Sequence, residues 1–387
     1  MIDVFLCAPR RTPFGRYGGS LAMVRPDDLA ARVIDGLLDL HDLPVDEVIF
    51  GCANQAGEDN RNVARMAVLL SRLGPGTPAY TVNRLCASGL DAIIAGARTI
   101  RDGAADVIIA GGVESMSRAP FVMPKAQTAF SRHAEMHDTT IGWRFVHDRI
   151  AQDYGVDSMP ETAENLAEVH KISRQDQDAF ALRSQTRYDP VWHARMILPV
   201  TTQHSLVTTD EHPRTTSLEK LAALPTPFRA VGTVTAGNAS GLNDGAAAVI
   251  LASEAAIKRH NLTPLARLGA AASAGVAPRI MGAGPIAATA RLTARTGLSP
   301  TDCDVIEINE AFAAQVLACT RAWNLPDDAP HVNAKGGAIA IGHPLGASGA
   351  RIAGTAARRL AETHGKLALV TLCVGVGQGV ALYLHGI

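Results

Sequence analysis

Short, largely apolar runs recur along the chain, at residues 4–8, 48–50, 107–112, 305–308 and 367–373. They show little alternation of polar and apolar positions, so they predict strands covered on both faces. Between them lie segments with helical spacing. One of these, the stretch from Ala87 to Ala97, has almost no polar surface after Asp91. A helix that is apolar all round belongs in an interior. Strands alternating with such helices predict an α/β fold.

The pattern also repeats, which points to a duplication. Val48-Ile49, Val82-Asn83 and Ala87-Ser88-Gly89 recur in the same order as Val305-Ile306, Val332-Asn333 and Ala347-Ser348-Gly349. Leu43-Pro44 precedes Asp46 and its strand as Ser299-Pro300 precedes Asp302 and its strand. Each Ala-Ser-Gly leads into a small-residue helix and then an apolar strand ending in glycine, at 107–112 and 367–375. Residues 118–229 have no counterpart in the second half, hold much of the Pro, His and Met, and read as a domain inserted over the site. Inside that insert, residues 161–182 have helical spacing, with Thr162 and Ser173 as candidate caps before acidic first turns. The expected organisation is a first half of residues 1–117 and 230–261, an inserted loop domain of 118–229, and a second half of 262–387.

Composition narrows the function classes. In 387 residues, 36 Lys plus Arg stand against 37 Asp plus Glu, and 47% of residues are hydrophobic. This argues against a disordered chain and against a nucleic-acid-binding surface. Aromatics are only 4% while glycines number 35, so the core is expected to be built from Ala, Val, Ile and Leu with close backbone approaches. The six cysteines form no Cys-X-X-Cys pair and no spacing suited to zinc, which favours a reduced, cytosolic chain without a metal site. The run at 4–8 is too short for a signal segment and is followed by Arg10 and Arg11. Residues 367–387 lack Asp, Glu, Lys and Arg and have the length of a membrane span, but Gly375, Gly377, Gln378 and Gly379 interrupt them. Two buried strands around a glycine turn are expected there, and no membrane partner.

Candidate chemistry gathers at the helix starts. Cys86 immediately precedes Ala87-Ser88-Gly89, where the helix dipole and free amides favour a thiolate. A cysteine taken alone is more often a core residue. Here the matching position in the second half is Gly346, so only one copy of the scaffold carries the thiol. His343 lies in a glycine-rich loop leading into the second small-residue helix, and pseudo-symmetric packing would bring it to face Cys86. An imidazole there can take a thiol proton. Cys373 ends an apolar run before Val374-Gly375, where backbone can approach a ligand closely. Asn309 follows the strand at 305–308, in the position where α/β proteins place ligand-contacting side chains, although it could equally cap a helix. The glycines of 232–245 lack the pattern of a dinucleotide fingerprint.

Together these motifs resemble the thiolase family over essentially the whole chain. Asn83 to Gly89 is similar to its nucleophile motif and Gly111 to Ser117 to its next block. Further blocks match at 235–244, 309–312, 336–349 and 373–379. The resemblance implies two similar halves, each with a five-stranded mixed sheet, in αβαβα layers around two buried helices, with a loop domain inserted in the first half. It implies that Cys86 accepts the acyl group, that His343 activates it, and that Cys373 handles the proton of the acetyl-CoA enolate. One oxyanion hole would come from His343 with Asn309 through a water, the other from the backbone amides of Cys86 and Gly375. CoA would be a co-substrate, with no metal or redox cofactor, and the protein a cytoplasmic homo-oligomer, dimer or tetramer.

Within the family, residues 51–65, 138–145, 154–163 and 373–379 resemble enzymes that cleave 3-oxoadipyl-CoA. Ser158 stands where many acetoacetyl-CoA thiolases carry His. Met159, Ala311 and Phe312 would line the acyl and pantetheine channel, Ser240 would touch pantetheine, and Arg229 would hold CoA phosphates. A buried distal carboxylate needs a cation or donors. The candidates in the insert are Arg132, His133, Trp143, Arg144 and His147. Two segments depart from the family pattern: Tyr188 to Trp192, where Pro190 should break a helix, and Asn333-Ala334-Lys335-Gly336. A broad 3-ketoacyl-CoA thiolase or an acetoacetyl-CoA thiolase would share the same chemistry. A cysteine hydrolase would need Cys86 and His343 but not Cys373, and a non-catalytic acyl-CoA-binding protein would need none of them.

Overall fold

In the computed structural model, which describes residues 2–387, the apolar runs form one continuous mixed sheet. Strands Val4–Arg11, Asn243–Ser253, Val107–Ser115, Glu47–Gly51 and Ala79–Val82 lie side by side in that order. From the other edge of Val4–Arg11 the sheet continues through Pro264–Gly275, Gln378–His385, Leu367–Val374 and Val305–Ile308. The first half thus supplies these five strands plus the two-residue strand Gly15–Arg16 paired with Asn243–Ser253, and the second half four, with a lone parallel bridge between Ile306 and Val332 in the place of a fifth. Phe5 opposite Arg267 and Leu6 opposite Ala266 join the halves.

Alternation along the strands sorts the core into layers. Ile108 and Ala110 point inward to the same apolar cluster as Ala368, Val370 and Leu372, around helices Ser88–Arg101 and Leu345–Thr363. Val107 and Ile109 point the other way, to helices Pro26–Leu38 and Val63–Leu70. Leu367 and Leu369 face the cluster that holds residues of helices Gly284–Thr296 and Ala313–Ala322. The order is therefore helix, sheet, helix, sheet, helix. The two central helices meet at glycine: a Cβ on Gly89 would collide with the Gly346 carbonyl, and one on Gly349 with the Leu90 amide. The repeated Ala-Ser-Gly is thus a close-approach contact, used once by each helix.

Backbone pairing sets the halves in a different register from the one the repeated dipeptides suggest. Asp46 Oδ2 accepts the amides of Asp106 and Val107 at 2.7 and 2.9 Å, and Asp304 Oδ2 accepts those of Lys366 and Leu367 at 2.7 and 3.1 Å. The partner of Asp46 is therefore Asp304. Asp302 instead closes a capping box with Ser299. Val48 then corresponds to Ile306 and Ile49 to Glu307, one residue away from the Val48-Ile49 to Val305-Ile306 match. A one-residue slip exchanges the faces of a strand. In true register, the inward position filled by Ile49 in one half is filled in the other by Glu307, fully buried and beside the buried Arg351.

Residues 118–229 add no strand to this sheet; they form short helices and two small hairpins. Helix Met159–Val169 starts earlier than its spacing suggests. Ser158 caps it, while Thr162 lies inside and turns its hydroxyl back to the Met159 carbonyl at 2.6 Å. Ser173 does cap the next helix, Arg174–Arg187, in a full capping box. That helix ends at Tyr188, and Pro190 opens a new one, Pro190–Ala194. Buried Arg11 grips Asp210 with two parallel hydrogen bonds of 2.5 and 2.7 Å, tying the segment to the central strand. The charge-free tail is the hairpin of Leu367–Val374 and Gln378–His385. Its turn carries Val376 and Gly377 at φ of 62° and 80°. Among the described residues no helix is long and apolar enough to cross a membrane.

Candidate active site

Cys86 sits in a single 3₁₀ turn, Leu85–Ala87, that runs into helix Ser88–Arg101. Leu85 is held at φ 45°, a left-handed conformation that a branched side chain adopts only when its surroundings force it. The forcing contacts are local. Asn83 Oδ1 accepts the Leu85 amide at 2.8 Å, and Ser88 Oγ accepts the Arg84 amide at 2.8 Å while donating to the Leu85 carbonyl at 2.7 Å. The amides of Cys86 itself and of Gly375 point at the sulfur and lower its pKa, but burial outweighs them and pushes it up to about 11. The thiolate expected from the helix start is not the resting state: desolvation exceeds the help from the amides. The thiol needs a base.

That base position is filled by His343, buried in the loop before helix Leu345–Thr363. Its Nδ1 lies 2.6 Å from Ser348 Oγ, and Ser348 donates to the Pro344 carbonyl at 2.9 Å. Since the serine proton is used on the carbonyl, His343 carries its own proton on Nδ1, which makes Nε2 the accepting nitrogen. Nε2 is 3.3 Å from Asn309 Nδ2. Burial, with Arg351 adding to it, pushes the imidazole pKa down to about 3, so it is a neutral acceptor at physiological pH. Asn309 is fully buried, and its Oδ1 has no hydrogen-bond partner, which suits a bound water or a ligand donor. Asn243 accepts the His343 amide at 2.9 Å and donates to the Gly15 carbonyl at 2.8 Å, fixing the loop to the first strands.

Cys373, next to last in strand Leu367–Val374, is buried and close enough to Cys86 that each thiolate would disfavour the other. Burial pushes its pKa well above the ordinary thiol value. Cys86, His343 and Cys373 line one cavity of about 470 Å³ together with Met159, Ser240, Ala311 and Phe312. The Ser240 amide donates to the Ala311 carbonyl at 3.0 Å, so the glycine-rich segment and the start of helix Ala313–Ala322 form one wall. A second, smaller cavity of about 180 Å³ opens beside Cys86 and Met159 and reaches Trp143 and Arg144.

Residues 4–255 match the family model for the thiolase N-terminal domain and residues 262–386 the one for the thiolase C-terminal domain. The chain belongs to the thiolase family. It is 58% identical over 399 aligned residues to the 3-oxoadipyl-CoA/3-oxo-5,6-dehydrosuberyl-CoA thiolase of Escherichia coli K12, with 100% of each chain covered. It is 55% identical to the beta-ketoadipyl-CoA thiolase of Pseudomonas putida, again with 100% of each covered. Among solved structures it is similar to human mitochondrial 3-ketoacyl-CoA thiolase in complex with CoA, with a TM-score of 0.91 and 40% identity over 100% of this chain and 98% of the other. As a thiolase, it is an acyltransferase with the thiolase fold.

The remaining candidates divide by position in this thiolase. Arg229 lines neither cavity above; its guanidinium is engaged by Glu161 and by Asn165 Oδ1 at 2.6 Å, with Glu168 at 3.4 Å, so it braces helix Met159–Val169. Basic groups that do border the larger cavity are His212 and Arg214, which no motif flagged. Of the candidate partners for a distal carboxylate, Trp143 and Arg144 border the smaller cavity, while Arg132, His133 and His147 are exposed and border neither. The two departures from the family pattern pack on each other: Lys335 Nζ is 3.1 Å from Asp189, and the Lys335 carbonyl is 2.8 Å from His193 Nε2. Neither segment lines the two cavities.

Sequence reasoning missed two carboxylates beneath the site. Buried Glu114 accepts the amides of Ala53, Asn54 and Gly346 at 3.0, 2.9 and 2.8 Å, joining both halves next to Cys86. Cys52, Asp59 and Glu114 lie close enough together to resemble a metal cluster. Their ligand atoms are already committed, Glu114 to those amides and Asp59 to the Gly57 amide at 3.0 Å, so the set fits a structural knot better than a cation. Glu310 does similar work for the glycine loop, accepting Asn333 Nδ2, Ser184 Oγ and the Ile339 amide at 2.8, 2.6 and 3.1 Å. Single acidic residues carry no periodic signal, and their partners are far away in sequence.

Proposed function

We infer that this thiolase cleaves 3-oxoadipyl-CoA with CoA to give acetyl-CoA and succinyl-CoA. The observation that carries the chemistry is the meeting of two cysteines and a neutral histidine in one cavity; the full-length relatives named for this substrate support its identity. The Cys86 proton passes to His343 Nε2 as Sγ attacks the C3 ketone. The resulting oxyanion is met by the amides of Cys86 and Gly375, which already point at the sulfur. The C2–C3 bond then breaks. Succinyl stays on Sγ as a thioester, and the acetyl-CoA enolate, its oxygen held by protonated His343 and a water on Asn309, takes a proton at C2 from Cys373.

In the second half-reaction the CoA thiol returns a proton to the Cys373 thiolate and attacks the Cys86 thioester. Succinyl-CoA leaves, and Cys86 recovers its proton from His343. Every proton is accounted for by the two cysteines, the histidine and CoA, so the cycle calls for no metal or redox cofactor. Met159, Ser240, Ala311 and Phe312 contact the acyl and pantetheine parts in this reading. Six free cysteines suit a reducing cytoplasm, and a homo-oligomer is the expected assembly. Residues 1–117 with 230–261, 118–229 and 262–387 remain the proposed units.

The test is product analysis on the purified protein. Acetyl-CoA and succinyl-CoA should appear in equal amounts from 3-oxoadipyl-CoA over many turnovers when CoA is added, and without CoA the reaction should stop at one equivalent of acetyl-CoA per site. Release of free acid without CoA would instead support a cysteine hydrolase. Faster turnover of an uncharged 3-oxoacyl-CoA would move the enzyme to the broad 3-ketoacyl-CoA thiolases.

A further inference from the structure

We propose that Arg144 is the specificity-determining residue that receives the distal carboxylate of the acyl group, in the smaller cavity beside Cys86. The proposal rests on the 3-oxoadipyl-CoA reading and deepens it. After C2–C3 cleavage, the group left on Cys86 is a four-carbon chain ending in a carboxylate. It has to lie in space that opens at the sulfur, and the cavity of about 180 Å³ does so, with Cys86, Leu85, Gly375 and Met159 in its wall. Its lining is largely apolar, so a carboxylate entering it gives up water and needs a partner there.

Elimination identifies that partner. Asn54 donates through Nδ2 to Thr139 and accepts the Ala56 amide through Oδ1. The Thr139 hydroxyl donates to the Pro120 carbonyl at 2.6 Å and the Thr140 hydroxyl to Asp138 at 2.7 Å. Trp143 Nε1 donates to the Asp157 carbonyl at 3.2 Å. Glu114 is spent on three amides, and as a carboxylate it would repel the tail. Among the described residues, none hydrogen-bonds the Arg144 guanidinium or lies within an ion-pair distance of it, although Asp138 is near enough to feel its charge. It is half-buried and borders the cavity, and a guanidinium fork matches a carboxylate in two parallel hydrogen bonds.

The experiment compares kcat/KM for 3-oxoadipyl-CoA and for 3-oxohexanoyl-CoA, which has the same chain length with a methyl in place of the carboxylate. Wild type should favour the charged substrate; a preference for 3-oxohexanoyl-CoA would remove the substrate reading and this proposal with it. If wild type favours the charged substrate, Arg144 is tested on its own. Arg144→Ala should lower the ratio of the two kcat/KM values by about a hundredfold, and Arg144→Lys should keep part of it. A ratio unchanged from wild type in both variants would overturn the assignment to Arg144 while leaving the substrate reading intact. Thermal unfolding of Arg144→Lys and Arg144→Gln, with the same ratio measured on each, keeps the test valid if Arg144→Ala does not fold.

Discussion

Ser88 and Ser348 occupy equivalent places at the start of the two central helices, and each uses its hydroxyl on the turn before it. Ser88 braces the strained turn that holds Cys86, accepting the Arg84 amide and donating to the Leu85 carbonyl. Ser348 donates to the Pro344 carbonyl and accepts from the imidazole of His343. The duplicated scaffold therefore keeps one device and lets the loop before it diverge, to a thiol in one half and a base in the other. Because the helices touch at Gly89 and Gly349, the two loops necessarily face one another. A nucleophile and its base thus become neighbours although 257 positions separate 86 from 343.

The comparison breaks most severely at the residues that differ between the halves. His343→Ala should lower kcat for thiolysis by about 10³–10⁴-fold with the fold retained, since it removes the proton-accepting imidazole that shares the cavity with the thiol; steady-state kinetics and circular dichroism check both parts. Next comes Cys373→Ala. Carbon–carbon cleavage should fall about 10²–10⁴-fold, while transfer of succinyl from succinyl-CoA to Cys86, followed by exchange with labelled CoA, should persist. Equal loss of both reactions would deny Cys373 a separate role.

Ser348→Ala and Ser88→Ala sharpen the comparison at a smaller scale. Removing Ser348 frees the imidazole to turn and change tautomer, so kcat should fall about tenfold with KM little changed. Removing Ser88 loosens the Cys86 turn and should lower thermal stability by about 1 kcal/mol as well. The resting charge state gives a further check. A thiol at about 11 beside an imidazole at about 3 means two neutral groups at pH 7. Alkylation of Cys86 should then rise about tenfold for each pH unit between 7 and 9, because the thiolate fraction grows that way below the pKa. A rate flat across that range would indicate a thiolate–imidazolium pair.

Much of this was legible in the chain because the relevant signals are local and periodic. The run at 367–387 read as a hairpin since glycine interrupts it, and Gly377 does take the left-handed conformation the turn requires. Asn309 could be placed because it directly follows Val305–Ile308. Register was not legible. Val48-Ile49 and Val305-Ile306 look alike as letters, yet the hydrogen bonds of Asp46 and Asp304 shift them by one and put Glu307 inside. Nor was the cap of Met159–Val169, where Thr162 and Ser158 compete and only the position of the first turn decides. The charge state of Cys86 depends on how much protein surrounds the sulfur, which spacing does not encode. Arg144 and Arg132 are equally basic in sequence; only the cavity separates them.

The central claim is that Cys86, in the one loop that carries a thiol, accepts the acyl group. The most direct measurement is peptide mass spectrometry of the enzyme quenched after mixing with 3-oxoadipyl-CoA in the absence of CoA. The account expects a succinyl thioester on the peptide containing Cys86, discharged as succinyl-CoA when CoA is added and absent from Cys86→Ala. A succinyl adduct on Cys373 instead, or one undiminished in Cys86→Ala, would contradict it.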